Sequence, residues 1–192
     1  MQRRLQTLTS ELKAIIFDLG GVIFDPHFSS NKFFTNYGKE WNKAKSGEIT
    51  CDEFYRTVAE KENKTLEDVR EESYGHMTVD ESIKSLILKL KETYKIGFLS
   101  NNIEDLYNQN IKLWNIEEIG ETVTSFKDKI IKPELEAMEL ILKKLNVNKD
   151  EVVFIDDNKD TVERYTKAGI KSITFKDYTK LIVNLKNFGV KI

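Results

Sequence analysis

The chain has 192 residues, 40% hydrophobic and 32% charged, which suits a globular protein with one sizeable core and a small insertion. Its 30 basic and 32 acidic residues leave a net charge of −2, which gives no support to nucleic-acid binding. No apolar run reaches the roughly 18 residues that span a membrane, and the single cysteine, Cys51, excludes an internal disulfide framework and fits a reducing, cytoplasmic setting as a buried or inert thiol.

Residues 1–13 are polar and basic and lack an apolar signal core, so residues 1–11 are expected to form a flexible tail. Residues 13–17 read as a buried strand that runs into Asp18, within Ala14-Ile15-Ile16-Phe17-Asp18-Leu19-Gly20-Gly21-Val22. A carboxylate at the carboxyl end of a buried strand, followed at once by a glycine turn, stands where open α/β sheets bind ligands. Residues 27–75 change character. Phe28, Phe33, Phe34, Tyr37, Trp41, Phe54, Tyr55 and Tyr74 are scattered among charges with no strand-like run. Thr50 with Glu53 has capping-box spacing, and Thr65 with Asp68 is a weaker version, so the stretch reads as a helical insertion whose aromatics form its own core. The histidines, His27 and His76, lack zinc-ligand spacing and read as exposed or capping side chains.

Thr78 with Glu81 predicts a further helix start, followed by Ile83, Leu86, Ile87 and Leu90 at helical spacing. Residues 95–99 form a second strand that ends at Ser100. Asn102 is placed to cap a helix bearing Ile103, Leu106, Tyr107 and Ile111. Residues 121–125 read as a third strand. Pro133 suits the first turn of a helix that carries Leu135, Met138, Leu142 and Leu145 on one face. Residues 151–155 are the clearest strand, and the helix after them stops at Gly169, a C′ glycine. Residues 170–175 make a fifth strand, and a closing helix starts near Asp177.

Strands alternating with helices imply an α/β fold of parallel βαβ units, whose right-handed crossovers bring all strand carboxyl ends to one edge. Asp18, Ser100 and Asp156 therefore meet there. Asp18, Asp156 and Asp157 would repel unless a cation intervenes. A hard divalent ion such as Mg²⁺ suits carboxylate oxygens and commonly binds together with phosphate. Lys132 adds a compact positive charge, and Ser100 with the backbone N–H groups after it can bind an anion at a helix start. The set fits phosphoryl transfer, with Asp18 as the nucleophile that becomes an aspartyl-phosphate. Each residue alone also has an ordinary role: Ser100 as a helix cap, Lys132 as a solvated lysine, Asp156 and Asp157 as a strand-end turn. Asn158 and Asp160 read as local caps. Order and placement together carry the functional reading.

Phe17-Asp18-Leu19-Gly20-Gly21-Val22, Phe98-Leu99-Ser100-Asn101-Asn102, Ile131-Lys132-Pro133-Glu134 and Val153-Phe154-Ile155-Asp156-Asp157-Asn158 occur in the order of the motifs of the haloacid dehalogenase superfamily, which the chain resembles over roughly residues 13–175. The wording resembles the branch of sugar-phosphate phosphatases such as α-D-glucose-1-phosphate phosphatase. The resemblance implies a Rossmann-like open parallel five-stranded sheet of order 5-4-1-2-3, flanked by helices. It implies a core of residues 12–25 and 80–192 and a C1-type helical cap of residues 26–79. It further implies that Asp18 attacks phosphorus, that Ser100 and the Asn101 backbone hold the transferring group, and that Lys132 stabilises its charge. Asp18, the Gly20 carbonyl and Asp157 would hold Mg²⁺, with Asp156 ligating directly or through water and Asp157 the stronger of the pair. The substrate is then a small phosphorylated metabolite.

Gly20 departs from the family pattern. Most phosphatases of the superfamily carry an acid there, two positions after the nucleophile, and losing a general acid/base costs about 10²–10⁴ in rate. A stabilised leaving group, a substitute group from the cap or a metal-bound water, or a weak or inactive phosphometabolite-binding protein would each account for it. Asp25 is the nearest acidic alternative, competing with a turn role on the way into the insertion. A metal-independent 2-haloacid dehalogenase also lacks that acid, but would retain the Asp156 and Asp157 charges as a burden.

Overall fold

The runs Ala14-Ile15-Ile16-Phe17 and Val152-Val153-Phe154-Ile155, apolar throughout, need both faces covered, as parallel strands flanked by helices do. The computed structural model describes residues 11–24, 36–74 and 77–192. Its strands are β1 (Ala14–Phe17), β2 (Lys95–Ser100), β3 (Glu121–Thr124), β4 (Val152–Asp156) and β5 (Lys171–Thr174). They form one parallel sheet of order β3-β2-β1-β4-β5, the expected 5-4-1-2-3 read from the other edge. Helices α1 (Gly38–Ser46), α2 (Cys51–Glu62) and α3 (Leu66–Tyr74) lie between β1 and α4 (Glu81–Leu90). After β2 come α5 (Glu104–Leu113), the one-turn α6 (Ser125–Asp128), α7 (Leu135–Leu145), α8 (Lys159–Lys167) and α9 (Tyr178–Asn187).

Alternation along the strands divides the core in two. Ile15, Phe17, Phe98 and Ile155 face α4 and α9, packing with Ile83, Ile87, Leu181 and Leu185. Ala14, Ile16, Leu99 and Phe154 face α7 and α8, packing with Ala137, Met138, Ile141 and Tyr165. A third cluster joins Phe54, Tyr55, Val58 and Val69 of α2 and α3 to Leu106 of α5 and to Ile103 just before it, which ties the insertion to the sheet domain. The predicted aromatic core of the insertion is present in Tyr37, Phe54 and Tyr55. Phe28, Phe33, Phe34, His27, His76, Asp25, the Tyr74 side chain and residues 1–10 of the expected tail lie outside the described residues. No helix among the described residues is long and apolar enough to cross a membrane.

The chain leaves the sheet through a turn in which the Val22, Ile23 and Phe24 N–H groups converge on the Leu19 carbonyl. It returns where Phe24 pairs with Val79 and the Asp80 N–H donates to the Ile23 carbonyl at 2.8 Å. That bond fixes where α4 begins. The cap is Asp80, whose carboxylate accepts from the Ser82 and Ile83 N–H groups, and not Thr78 as the spacing predicts. The capping box at Thr50 and Glu53 forms as predicted, as does the Thr65–Asp68 version.

Three other boundaries differ from the sequence reading. Asn102 does not cap α5: its N–H donates to Ser125 Oγ and its side chain accepts from Ile103 N–H, so Ile103 takes the cap position without a side-chain bond. β3 ends at Thr124, because Ser125 begins α6. Pro133 precedes α7 instead of entering its first turn, since Glu134 N–H closes a turn on the Ile131 carbonyl. On α7, Ala137 and Ile141 are buried while Leu142 is only partly so, which rotates the apolar face from the predicted one. Gly169 takes φ +89°, the left-handed conformation expected of a helix-terminating glycine.

Replacing Asp80 with Ala should destabilise the protein by about 1 kcal/mol in urea titrations, and Thr78→Ala by less than about 0.5 kcal/mol. The reverse ranking would return the cap to Thr78.

Candidate active site

Asp18 follows Phe17, which is in register with Phe98 of β2 and Ile155 of β4. The Asp18 N–H donates to the Ile155 carbonyl at 2.8 Å, so the strand pairing reaches Asp18 itself. Asp18 and Asp156 thus stand level on neighbouring strands. The chain passes from β1 to β2 on one side and later to β4 on the other, and such a reversal opens a crevice at the strand ends.

Lys132 fills the space between the two carboxylates. Its ammonium lies 2.8 Å from Asp18 Oδ1 and 2.6 Å from Asp156 Oδ2, and it is buried, contrary to the solvated reading of this lysine alone. Asn101 places it from 31 residues away. The Asn101 amide donates to the Lys132 carbonyl at 2.9 Å and accepts from the Lys132 N–H at 2.8 Å. Tyr165 of α8 donates to the Glu134 carbonyl at 3.0 Å and holds the far end of the same loop. This positioning role of the Asn101 side chain has no local sequence signal.

Asp156 has both oxygens engaged, Oδ2 by Lys132 and Oδ1 by the Asn158 N–H at 2.8 Å. Asn158 caps α8 as predicted, accepting from Thr161 N–H. Asp18 spends Oδ1 on Lys132 and on Leu19 N–H at 2.7 Å, so among the described residues Oδ2 is the oxygen left open. Asp157 packs against the backbone of Gly21. A Cβ built there would lie 2.4 Å from Asp157 Oδ2, and Gly21 has φ +73°, so both space and conformation demand glycine. At Gly20 a Cβ would meet nothing within 4 Å. The fold itself has room for the missing acid.

Asp18, Asp156 and Asp157 each offer a carboxylate oxygen within 4.8 Å of the others. Three carboxylates against one ammonium leave a surplus of two negative charges when all are ionised. Burial pushes the Asp18 carboxyl up to about 7 despite Lys132, with Asp156 and Asp157 adding to the rise. Burial, then Asp156, raises Asp157 as well. Burial works against the charge on Lys132, but Asp156 and Asp18 outweigh it and hold the proton tightly. The cluster is therefore poorly balanced by protein groups alone. Its hard oxygen donors and its surplus of two fit a hard dication.

Above this floor lies a cavity of about 260 Å³, into which Ser100, Asn101 and Gly20 also open. Ser100 is buried and does not cap α5. Helix α1 of the insertion supplies Trp41 and Lys45 to the cavity, and Phe24, Met77 and Leu106 add apolar wall. Asn110, one turn beyond Leu106, is buried with its Oδ1 lacking a hydrogen-bond partner among the described residues. Sequence reading missed Lys45, Met77 and Asn110 as cavity residues and assigned Trp41 to the insertion's core. Trp41 in fact serves both: its ring packs 5.6 Å from Phe54 while it lines the cavity.

The family model of haloacid dehalogenase-like hydrolases matches residues 15–175. A sesquiterpene phosphatase of Aspergillus oryzae, astK, is 22% identical over 93% of this chain and 97% of its own length. The drimenol cyclase drtB of Aspergillus calidoustus is 25% identical over 93% of this chain, which spans only 37% of that larger protein. A HAD family enzyme of Bacteroides thetaiotaomicron superimposes with a TM-score of 0.77 at 23% identity, covering 90% of this chain and 99% of its own. The same enzyme in complex with magnesium and inorganic phosphate gives a TM-score of 0.73 at 23% identity, covering 88% of this chain and 98% of its own.

The raised Asp18 carboxyl has a consequence for stability without metal. Unfolded, Asp18 ionises near 3.8; folded, near 7. Below 3.8 it is protonated in both states. Between these values the unfolded chain gives up the proton and the folded one keeps it, so folding loses stability as pH rises through this window. In chelator, the melting temperature of the wild type should therefore fall relative to Asp18→Asn between about pH 4 and pH 7, whereas a constant difference would contradict the raised carboxyl.

Proposed function

The chain belongs to the haloacid dehalogenase-like hydrolases, and from that premise we propose that it is a Mg²⁺-dependent phosphomonoester hydrolase working through an aspartyl-phosphate on Asp18. The observation that carries this reading is the cluster of Asp18, Asp156 and Asp157 around a single buried Lys132, with one Asp18 oxygen open to the cavity. Asp18, the Gly20 carbonyl and Asp157 would hold Mg²⁺. Asp156, with both oxygens engaged, is better suited to a ligand role through water. Bound there, the ion would offset the carboxylate charge and draw charge from the phosphoryl oxygens.

In this reading a phosphomonoester enters with its phosphoryl group over the floor. Ser100 and the Asn101 N–H bind its oxygens, and the Lys132 ammonium spreads the charge that develops on them. Asp18 Oδ2 attacks phosphorus, the ester oxygen departs, and water then cleaves the aspartyl-phosphate to regenerate the carboxylate. Residues 12–25 and 80–192 are the catalytic core and residues 26–79 the cap. A cavity of about 260 Å³ suits a small cytoplasmic metabolite. Its lining, which mixes apolar walls with Asn101, Asn102 and Asn158, favours a leaving group with hydroxyls of its own, as a sugar phosphate has.

Gly20 favours a second reading, a weak or inactive protein that binds phosphometabolites. A metal-independent dehalogenase ranks lower, because its chemistry gives the acidic cluster nothing to do. Purified protein should hydrolyse sugar phosphates with Mg²⁺ and stop with chelator, and Asp18→Asn should lower turnover by ~10³-fold or more while keeping its fold. Tight phosphate binding without turnover across a broad ester panel would favour the binding reading, and halide release from a 2-haloacid in chelator would favour the dehalogenase.

A further inference from the structure

The two-step route needs a proton at the departing oxygen and then a base for the incoming water. Gly20 supplies neither. Among the described cavity residues, few groups can. Lys132 is held by two carboxylates, and Asp18, Asp156 and Asp157 are committed to attack and to the cation. Lys45 remains. It lies in the last turn of α1, lines the cavity from the insertion, and has no carboxylate within salt-bridge distance among the described residues. Its ammonium sits 5.8 Å from the centre of the Trp41 ring.

The placement of Lys45 is built into the docking of α1. The helix ends at Gly47, φ +69°, where a Cβ would lie 1.9 Å from Lys129 Nζ. Lys129 is on the loop that carries Lys132, so the end of α1 is seated on the segment that supplies the catalytic lysine. Lys45 thereby reaches the cavity from the insertion and not from the strand edge that carries Asp18. In an in-line displacement the departing oxygen lies on the far side of phosphorus from Asp18.

We propose that Lys45 is the general acid/base of the reaction, donating its proton to the leaving oxygen and then accepting one from the hydrolytic water in place of the absent side chain at position 20. This rests on the phosphatase reading above. As the Asp18–phosphorus bond forms, the phosphorus–ester oxygen bond breaks and its electron pair takes a proton from Lys45 Nζ, giving the free alcohol and a neutral amine. Water then attacks phosphorus and gives a proton to that amine. The bond to Asp18 breaks, its pair returning to the carboxylate, and phosphate leaves with Lys45 again an ammonium. Burial and the nearby Lys132 loosen the Lys45 proton, while Asp18 holds it; Asp156 and Asp157 complete the charged groups of this cavity. A lysine that releases its proton more readily is better matched to this exchange near neutral pH.

Leaving-group dependence tests it. The full chain with saturating Mg²⁺ is assayed on p-nitrophenyl phosphate, whose leaving group needs no proton, and on glycerol 2-phosphate, whose alkoxide does. Lys45→Met should lower kcat/KM by ~10²-fold or more on the alkyl ester and by less than ~10-fold on the aryl ester. On the aryl ester it should also show a burst of about one equivalent of p-nitrophenolate, as the aspartyl-phosphate waits for a base. Lys45→Arg, which keeps the charge but not a transferable proton, should fail on the alkyl ester like Lys45→Met. Gly20→Asp in the Lys45→Met background should restore alkyl-ester turnover. Equal losses on both esters, or full alkyl-ester activity in Lys45→Arg, would reduce Lys45 to a binding charge and overturn the proposal. Wild-type protein inert to both esters with Mg²⁺ would instead remove the phosphatase reading, and this inference with it.

Discussion

Everything at the strand edge is organised by one imbalance, three carboxylates gathered around a single buried ammonium. A buried lysine between two aspartates is stable only with good geometry and bonds for the remaining lone pairs. Those conditions are met for Asp156, whose second oxygen takes the Asn158 N–H, and for the Oδ1 of Asp18. They are not met for the open oxygen of Asp18, while Asp157 is exposed. The oxygen left least satisfied therefore faces the cavity, where an incoming cation and a phosphoryl group would complete it.

Holding this arrangement takes contacts far from it in sequence. The Lys132 loop is bound by Asn101 at one end and Tyr165 at the other, so the end of β2 and a helix converge on one backbone segment. Asn102, the next residue, fastens the β2 edge to Ser125 beyond β3. The adjacent asparagines thus act as struts between strand ends. Gly21 serves the same floor from below, since only a residue without a side chain leaves Asp157 its position.

The fold was legible because each strand is an apolar run closed by a turn and each helix carries apolar residues at helical spacing. Sheet order, parallel sense and the meeting of Asp18, Ser100, Lys132 and Asp156 at one edge followed from that alternation and from the motif resemblance. What escaped was set by tertiary bonds. Thr78 and Asp80 are equally plausible caps in sequence, and the bond from Asp80 N–H to Ile23 decides between them. Asn102 has the right side chain for a cap, but Ser125 takes its N–H. Lys45 looks like any helix-terminal lysine, and nothing local says that Gly47 seats it over the cavity. Partners that lie 31 or 82 residues apart, as in Asn101–Lys132 and Gly47–Lys129, leave no short-range trace.

The two adjacent glycines, Gly20 and Gly21, are under opposite constraints, and this bears on how the chemistry is divided. Gly21 is fixed by conformation and by Asp157, so no side chain can be accepted there. Gly20 has open space around its Cβ direction, so its lack of a side chain is not a packing requirement of this fold. A carboxyl at that position would add a fourth acidic group beside a cluster already short of positive charge. Bringing the proton from the insertion as a lysine adds positive charge instead, on a helix seated on the Lys132 loop. The seating of α1 on the Lys132 loop thus ties the proton donor of the insertion to the segment that carries the charge-stabilising lysine.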